Sequence, residues 1–131
     1  MAGCEPYITE LVQDSVLDTI KRDYLGLAPD YAPFDGNIIL LINSQFNVVN
    51  QLGVGTKKPF KITGAEETWS DFFEDKDYLE AIKELIGIKV KLGFDPPQNS
   101  SLLQTLKDRA FELEWRLNVF EDTEYEEKVG D

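Results

Sequence analysis

The chain has 131 residues and a net charge of −12, from 13 Lys plus Arg against 25 Asp plus Glu. That length suits one domain burying roughly two thirds of its extended surface, and the charge argues against wrapping nucleic acid, where cations must neutralise phosphates. No histidine is present, which removes the usual general base near pH 7 and the commonest metal ligand.

The first residues, 1–14, mix Pro6, Tyr7, Ile8, Leu11 and Val12 without a period and read as an N-terminal arm or an extra helical turn. Cys4 stands alone, which rules out an internal disulfide and fits a reducing compartment. No apolar run follows a basic N-terminal region, so a soluble intracellular product is expected. Asp14 or Ser15 can cap a helix whose stripe is Val16, Leu17, Ile20 and Tyr24, with Asp18 in the first turn. It stops at Gly26, and Pro29 and Pro33 make the following stretch a connector.

From Gly36 to Thr56 there is no charged residue at all. Ile38, Ile42, Phe46, Val49 and Leu52 recur every three or four positions and predict a helix, with Asp35 as its N-cap and Gly53 where a left-handed C-terminal residue belongs. Asn43, Asn47, Asn50 and Gln51 form an amide stripe on its other side, where Lys and Glu would be usual. Such a helix is either a core helix with exposed amides or one covered by its own domain on one side and another subunit on the other. Seven Asn, Ser or Gln side chains between Asn37 and Gln51 speak against a membrane span.

Phe60 and Ile62 alternate in a segment too short to decide between an extended arm and an edge strand. Thr68 is placed to cap a short aromatic helix in which Trp69, Phe72 and Phe73 clasp the loop to the body. A long helix from Asp77 to about Phe94 carries Leu79, Ile82, Ile86 and Val90 on one stripe and Tyr78, Ala81, Leu85, Ile88 and Leu92 on the next. Asp95-Pro96-Pro97 ends it. Ser100 or Ser101 opens the last helix, whose seam is Leu103, Leu106, Ala110, Leu113, Leu117 and Phe120, while Phe111, Trp115 and Val119 lie four apart on a different side. Asn99-Ser100-Ser101 matches a glycosylation sequon only by accident. Residues 121–131 are an acidic tail, expected to lack regular structure in the free protein, with Tyr125 available to order on a partner.

Catalytic motifs are weak. Asp71, Glu74, Asp75 and Asp77 lack the glycine and terminal glutamate of a calcium loop. Gly53-Val54-Gly55 before Lys57-Lys58 follows a helix, not a strand, and lacks the ending of a phosphate loop. Glu112 and Glu114 face different ways, and Glu112 pairs more naturally with Arg116, four residues on.

Several blocks stand in a fixed order: Phe34-Asp35 before Ile-Ile-Leu-Leu-Ile-Asn-Ser-Gln-Phe (38–46), then Asn50-Gln51-Leu52-Gly53-Val54-Gly55 and Thr68-Trp69-Ser70-Asp71-Phe72. Lys89 to Pro97 and Glu114-Trp115-Arg116-Leu117-Asn118-Val119 follow. Over roughly Ser15 to Phe120 this resembles the head-tail connector (adaptor) proteins of tailed bacteriophages, siphophages of Gram-positive hosts. The resemblance implies an all-α fold, a small bundle of about four main helices with a short aromatic helix and an extended loop or arm, spanning residues 15–120.

It further implies a virion protein of the neck, made in the host cytoplasm, that forms a ring, usually of twelve copies, below the portal. The next neck or tail-completion protein would assemble on that ring. DNA would pass through without specific binding, and no catalytic residue, metal or cofactor carries over. A ring needs two different faces per subunit. The expected interface residues are Asn43, Asn47, Asn50, Gln51, Phe111, Trp115, Val119, Phe120 and Tyr125. The family pattern leads one to expect a larger apolar residue where Gly93 stands. The alternative reading is a small acidic DNA mimic that inhibits a host enzyme, weakened by the interspersed Lys83, Lys89, Lys91, Lys107 and Arg109; a histidine-free enzyme comes third.

Overall fold

The computed structural model describes residues 14–52, 60–72 and 76–130, with side chains in all but 76–78 and 119–130. Five helices lie within these residues: α1 (Val16–Asp23), α2 (Asp35–Gln51), α3 (Trp69–Phe72), α4 (Lys76–Phe94) and α5 (Ser100–Gly130). The fold is all-α, and the only extended pairing among the described residues is an isolated bridge between Ser15 and Thr68.

Between the two candidate caps of α1, Ser15 is the one used: the Asp18 N–H donates to its Oγ at 3.3 Å. Asp14 instead accepts from the Ser70 hydroxyl at 2.7 Å. Val16, Leu17 and Ile20 are buried as their spacing predicts. Gly26 takes a φ of +68°, a left-handed turn that lets the Leu27 N–H return to the Lys21 carbonyl at 2.8 Å.

The structure corrects the start of α2. Asp35 is the first helical residue, Phe34 holds the N-cap position, and no side chain caps the helix. The carboxylate is drawn away by Lys21, whose Nζ lies 2.8 Å from Asp35 Oδ1 while donating to the Pro29 carbonyl at 2.9 Å. Lys21 is 0% exposed. A buried ammonium requires a counter-charge more than a helix end requires a cap, because an orphaned ion costs several kcal/mol (~3–5) and a missing cap only ~1.

Helix α4 is the middle of a layer, packing along both α2 and α5, while α1 rests on α2 and α4. Its two predicted stripes account for this: Leu79, Ile82, Leu85, Ile86, Ile88 and Val90 are all buried. Ala110, Leu113 and Leu117 of the α5 seam are buried as well. Gly87 is where the Tyr24 ring crosses α4; a Cβ there would lie 2.4 Å from a ring carbon. Gly87→Ala is therefore expected to lower stability. The overpacking of about 1–3 kcal/mol exceeds the ~1 kcal/mol that a helical Gly→Ala change otherwise returns. Urea unfolding measures it, and adding Tyr24→Leu should relieve the loss.

Two features of α5 differ from expectation. Asn99 is its cap, its Oδ1 accepting from the N–H groups of Ser101 (2.9 Å) and Leu102 (3.1 Å), so neither serine fills that role. The helix also continues through the acidic segment to Gly130. Glu and Lys are good helix formers, and lengthening an existing helix avoids the cost of a new nucleus.

Candidate functional site

The 60–72 segment is strapped across α1 and α2 by side chains that stand in for a sheet. Asn43 accepts from the Ile62 N–H (2.8 Å) and donates to the Ile62 carbonyl (2.9 Å), as a paired strand would. Val16 N–H reaches the Glu67 carbonyl at 3.1 Å. Burial would raise the Glu67 carboxyl, but donors from the Thr63 hydroxyl and from the Thr63 and Gly64 N–H groups outweigh it and hold it low.

Thr68 caps α3 as its sequence predicts, with a reciprocal bond: Asp71 N–H to Thr68 Oγ1 (3.2 Å) and Thr68 N–H to Asp71 Oδ2 (3.0 Å). Trp69 and Phe72 are buried, and Phe46 sits among Phe60, Trp69 and Phe72 with ring centroids 5.0, 6.0 and 4.9 Å away. The Trp69 indole N–H donates to Thr19 Oγ1 at 2.8 Å. These two members of the predicted clasp thus anchor the loop; Phe73 lies outside the described residues.

The amide stripe divides. Asn43 turns inward and is spent on Ile62, and Asn50 is half-buried. Asn47 and Gln51 are exposed, but their outward neighbours are Asn37, Leu40 and Ser44, not Asn43. Leu40, 71% exposed, lies outside the inward stripe Ile38, Ile42, Phe46 and is not among the residues expected from sequence; positions 37, 40, 44, 47 and 51 share one helical face by the same periodicity. The result is an uncharged outer ridge on α2 in a chain of net charge −12. At its N-terminal end the ridge borders an open groove of about 590 Å³, walled by Phe34, Leu41 and Phe94 and floored at Gly93.

On the opposite flank of the layer, Phe111 and Trp115 of α5 point outward, 72% and 61% exposed. The side chains of Val119, Phe120 and Tyr125 lie outside what the structure describes. Between the flanks α4 and α5 are joined by ion pairs. Arg109 donates to both Glu84 oxygens (2.6 and 3.0 Å) and to Glu112 (3.1 Å), Arg116 meets Glu112 (2.7 Å) as its spacing predicts, and Lys89 meets Glu114 (3.0 Å).

A cleft of about 460 Å³ beside this network is lined by Tyr24, Glu80, Lys83, Glu84, Arg109 and Arg116 among others. Each of its three cations meets a carboxylate, Lys83 reaching Glu80 at 3.5 Å. Burial pushes the Tyr24 hydroxyl up, so it stays protonated. The bonds from Arg109 hold the Glu84 carboxyl below its usual range, against the opposing effect of burial. A carboxyl lower in the folded than the unfolded chain contributes stability above its unfolded value and loses it as pH falls through the folded value. The urea midpoint is therefore expected to drop on acidification below about pH 4, and less steeply in Glu84→Gln.

No three His, Cys, Asp or Glu side chains converge on a metal position among the described residues. Of the acidic turn proposed from sequence, Glu74 and Asp75 lie outside those residues, as do Gly53 to Lys58. No described helix is long and apolar enough to cross a membrane. Residues 16–124 match the family model described as phage connector protein. No curated protein and no solved structure gives a significant match.

Proposed function

The chain belongs to the phage connector protein family, and from that premise we propose that it is a structural protein of the virion neck, a ring of about twelve copies below the portal. One face of the ring meets the portal and the other receives the next neck or tail-completion protein. DNA passes through the centre without specific binding, helped by the net charge of −12, which keeps phosphates from adhering to the wall. On this reading the protein works by shape and adhesion, without a catalytic residue, metal or cofactor.

The observation that carries it is the pair of unlike flanks. The uncharged α2 ridge and the exposed Phe111 and Trp115 of α5 lie on the two helices that flank α4, so each copy offers two different surfaces at once. Two unlike surfaces joined head to tail generate a ring when the rotation closes.

The test is to mix the purified protein with portal and image the product. A ring of density under the portal is expected; its absence, or tail joining by particles that lack this protein, overturns the reading. Trp115→Ala is expected to weaken assembly by about 30-fold or more, the scale of a buried aromatic anchor. The melting temperature should hardly change, because the side chain is 61% exposed in the protomer. If thermal stability and assembly fall together, Trp115 serves the protomer's own packing.

A further inference from the structure

Ring formation leaves open which surfaces meet, and the groove at Gly93 gives a specific answer. We propose that the groove between the start of α2 and the end of α4 is the seat for the Phe111 and Trp115 ridge of α5 from a second copy of this chain. This rests on the ring reading above and deepens it.

Shape supports the seat. Gly93 leaves the floor without a side chain, and a Cβ there would already stand 3.1 Å from Leu41 Cδ2. The walls are Phe34 and Phe94, held edge to face at 5.5 Å. An opening of about 590 Å³ accommodates a bulky aromatic side chain. Within a protomer the groove is built by α2 and the end of α4, whereas Phe111 lies beside Leu92 and Lys89 of α4 and leaves most of its ring exposed. The exposed ridge of one copy is thus free to enter the groove of another, as a heterologous interface requires.

Charge supports it too. Lys107, Phe111 and Trp115 are spaced four apart and follow one line along α5. Lys107 is exposed and pairs with no carboxylate among the described residues. The groove carries Asp95 on its rim, whose contact with Lys91 is a long 3.9 Å. Seating the aromatic ridge brings a free cation toward a loosely held carboxylate. A rim pair of this kind adds little affinity but fixes orientation and register.

The experiment uses the full chain with Cys4→Ser, Asn37→Cys at the groove and Asn118→Cys beside the ridge, assembled on portal and treated with a short bis-maleimide. A ladder of covalent multimers is expected, and an equimolar mixture of the two single-cysteine chains should stop at dimers. Rings that form without a ladder overturn the proposed seat while leaving the ring reading intact. Homodimers from either single-cysteine chain, or cross-links to portal alone, overturn the seat as well. Absence of any ring defeats both. Independently, Gly93→Leu fills the floor; its Cβ presses on Leu41, so a modest fall in melting temperature is expected, while ring formation at a temperature where the variant stays folded should drop at least tenfold. Unimpaired assembly of that variant would show that the groove is not the seat.

Discussion

Asp35→Ala is expected to destabilise the protein by about 3 kcal/mol, the low end of the range for breaking a buried ion pair. It strands Lys21, whose ammonium is wholly buried with only the Pro29 carbonyl left to accept from it. The loss sits at the low end for two reasons. Asp35 itself is 29% exposed, and Asp18 is close enough to feel the same ammonium: burial raises its carboxyl, Lys21 pulls it back and Asp35 raises it again. Lys21→Met with Asp35→Ala should recover most of the loss, because a matched apolar pair leaves no uncompensated charge. The shift in urea midpoint at constant slope measures it. A change below 1 kcal/mol for the single variant would mean that water reaches Lys21.

Trp69→Ala should cost about 3–5 kcal/mol, as buried Trp truncations do. The indole fills the space between Phe46 and α1, and its N–H is the partner of Thr19. Trp69→Phe keeps part of the ring contact and should cost less, chiefly the hydrogen bond and the lost area. Amide exchange at Ile62 and Val16 reports the mechanism, since those N–H groups are bonded only while the 60–72 segment stays strapped down. In Trp69→Ala both should exchange faster than the α4 core. Equal protection in the two places would mean that Asn43 alone secures the loop.

The helical architecture and the cap at Thr68 could be read from residues alone because both are local. Periodicity along Leu79 to Val90 and along Leu106 to Leu117 needs no partner to be legible, since a helix repeats every 3.6 residues whatever it packs on. The same holds for the outward Phe111 and Trp115. Where reading failed, a side chain had a choice. Asp35 could cap α2 or answer Lys21; Asn43 could face a neighbouring subunit or pin Ile62; Ser100, Ser101 and Asn99 competed for one helix end. Lys21 is one of two cations in the last turn of α1, and nothing adjacent in the sequence marks it as buried.

By itself, then, the sequence determined that this protein is a set of amphipathic helices with apolar groups facing more than one way and an uncharged segment at its middle. Only the tertiary structure decided that α4 lies between α2 and α5, that Leu40 joins Asn47 and Gln51 on the outer ridge, and that Asn43 does not. The physical reason is range. Helix periodicity and capping are settled within a few residues, whereas the partner of a buried charge or amide is whichever group the fold brings within about 3 Å of it.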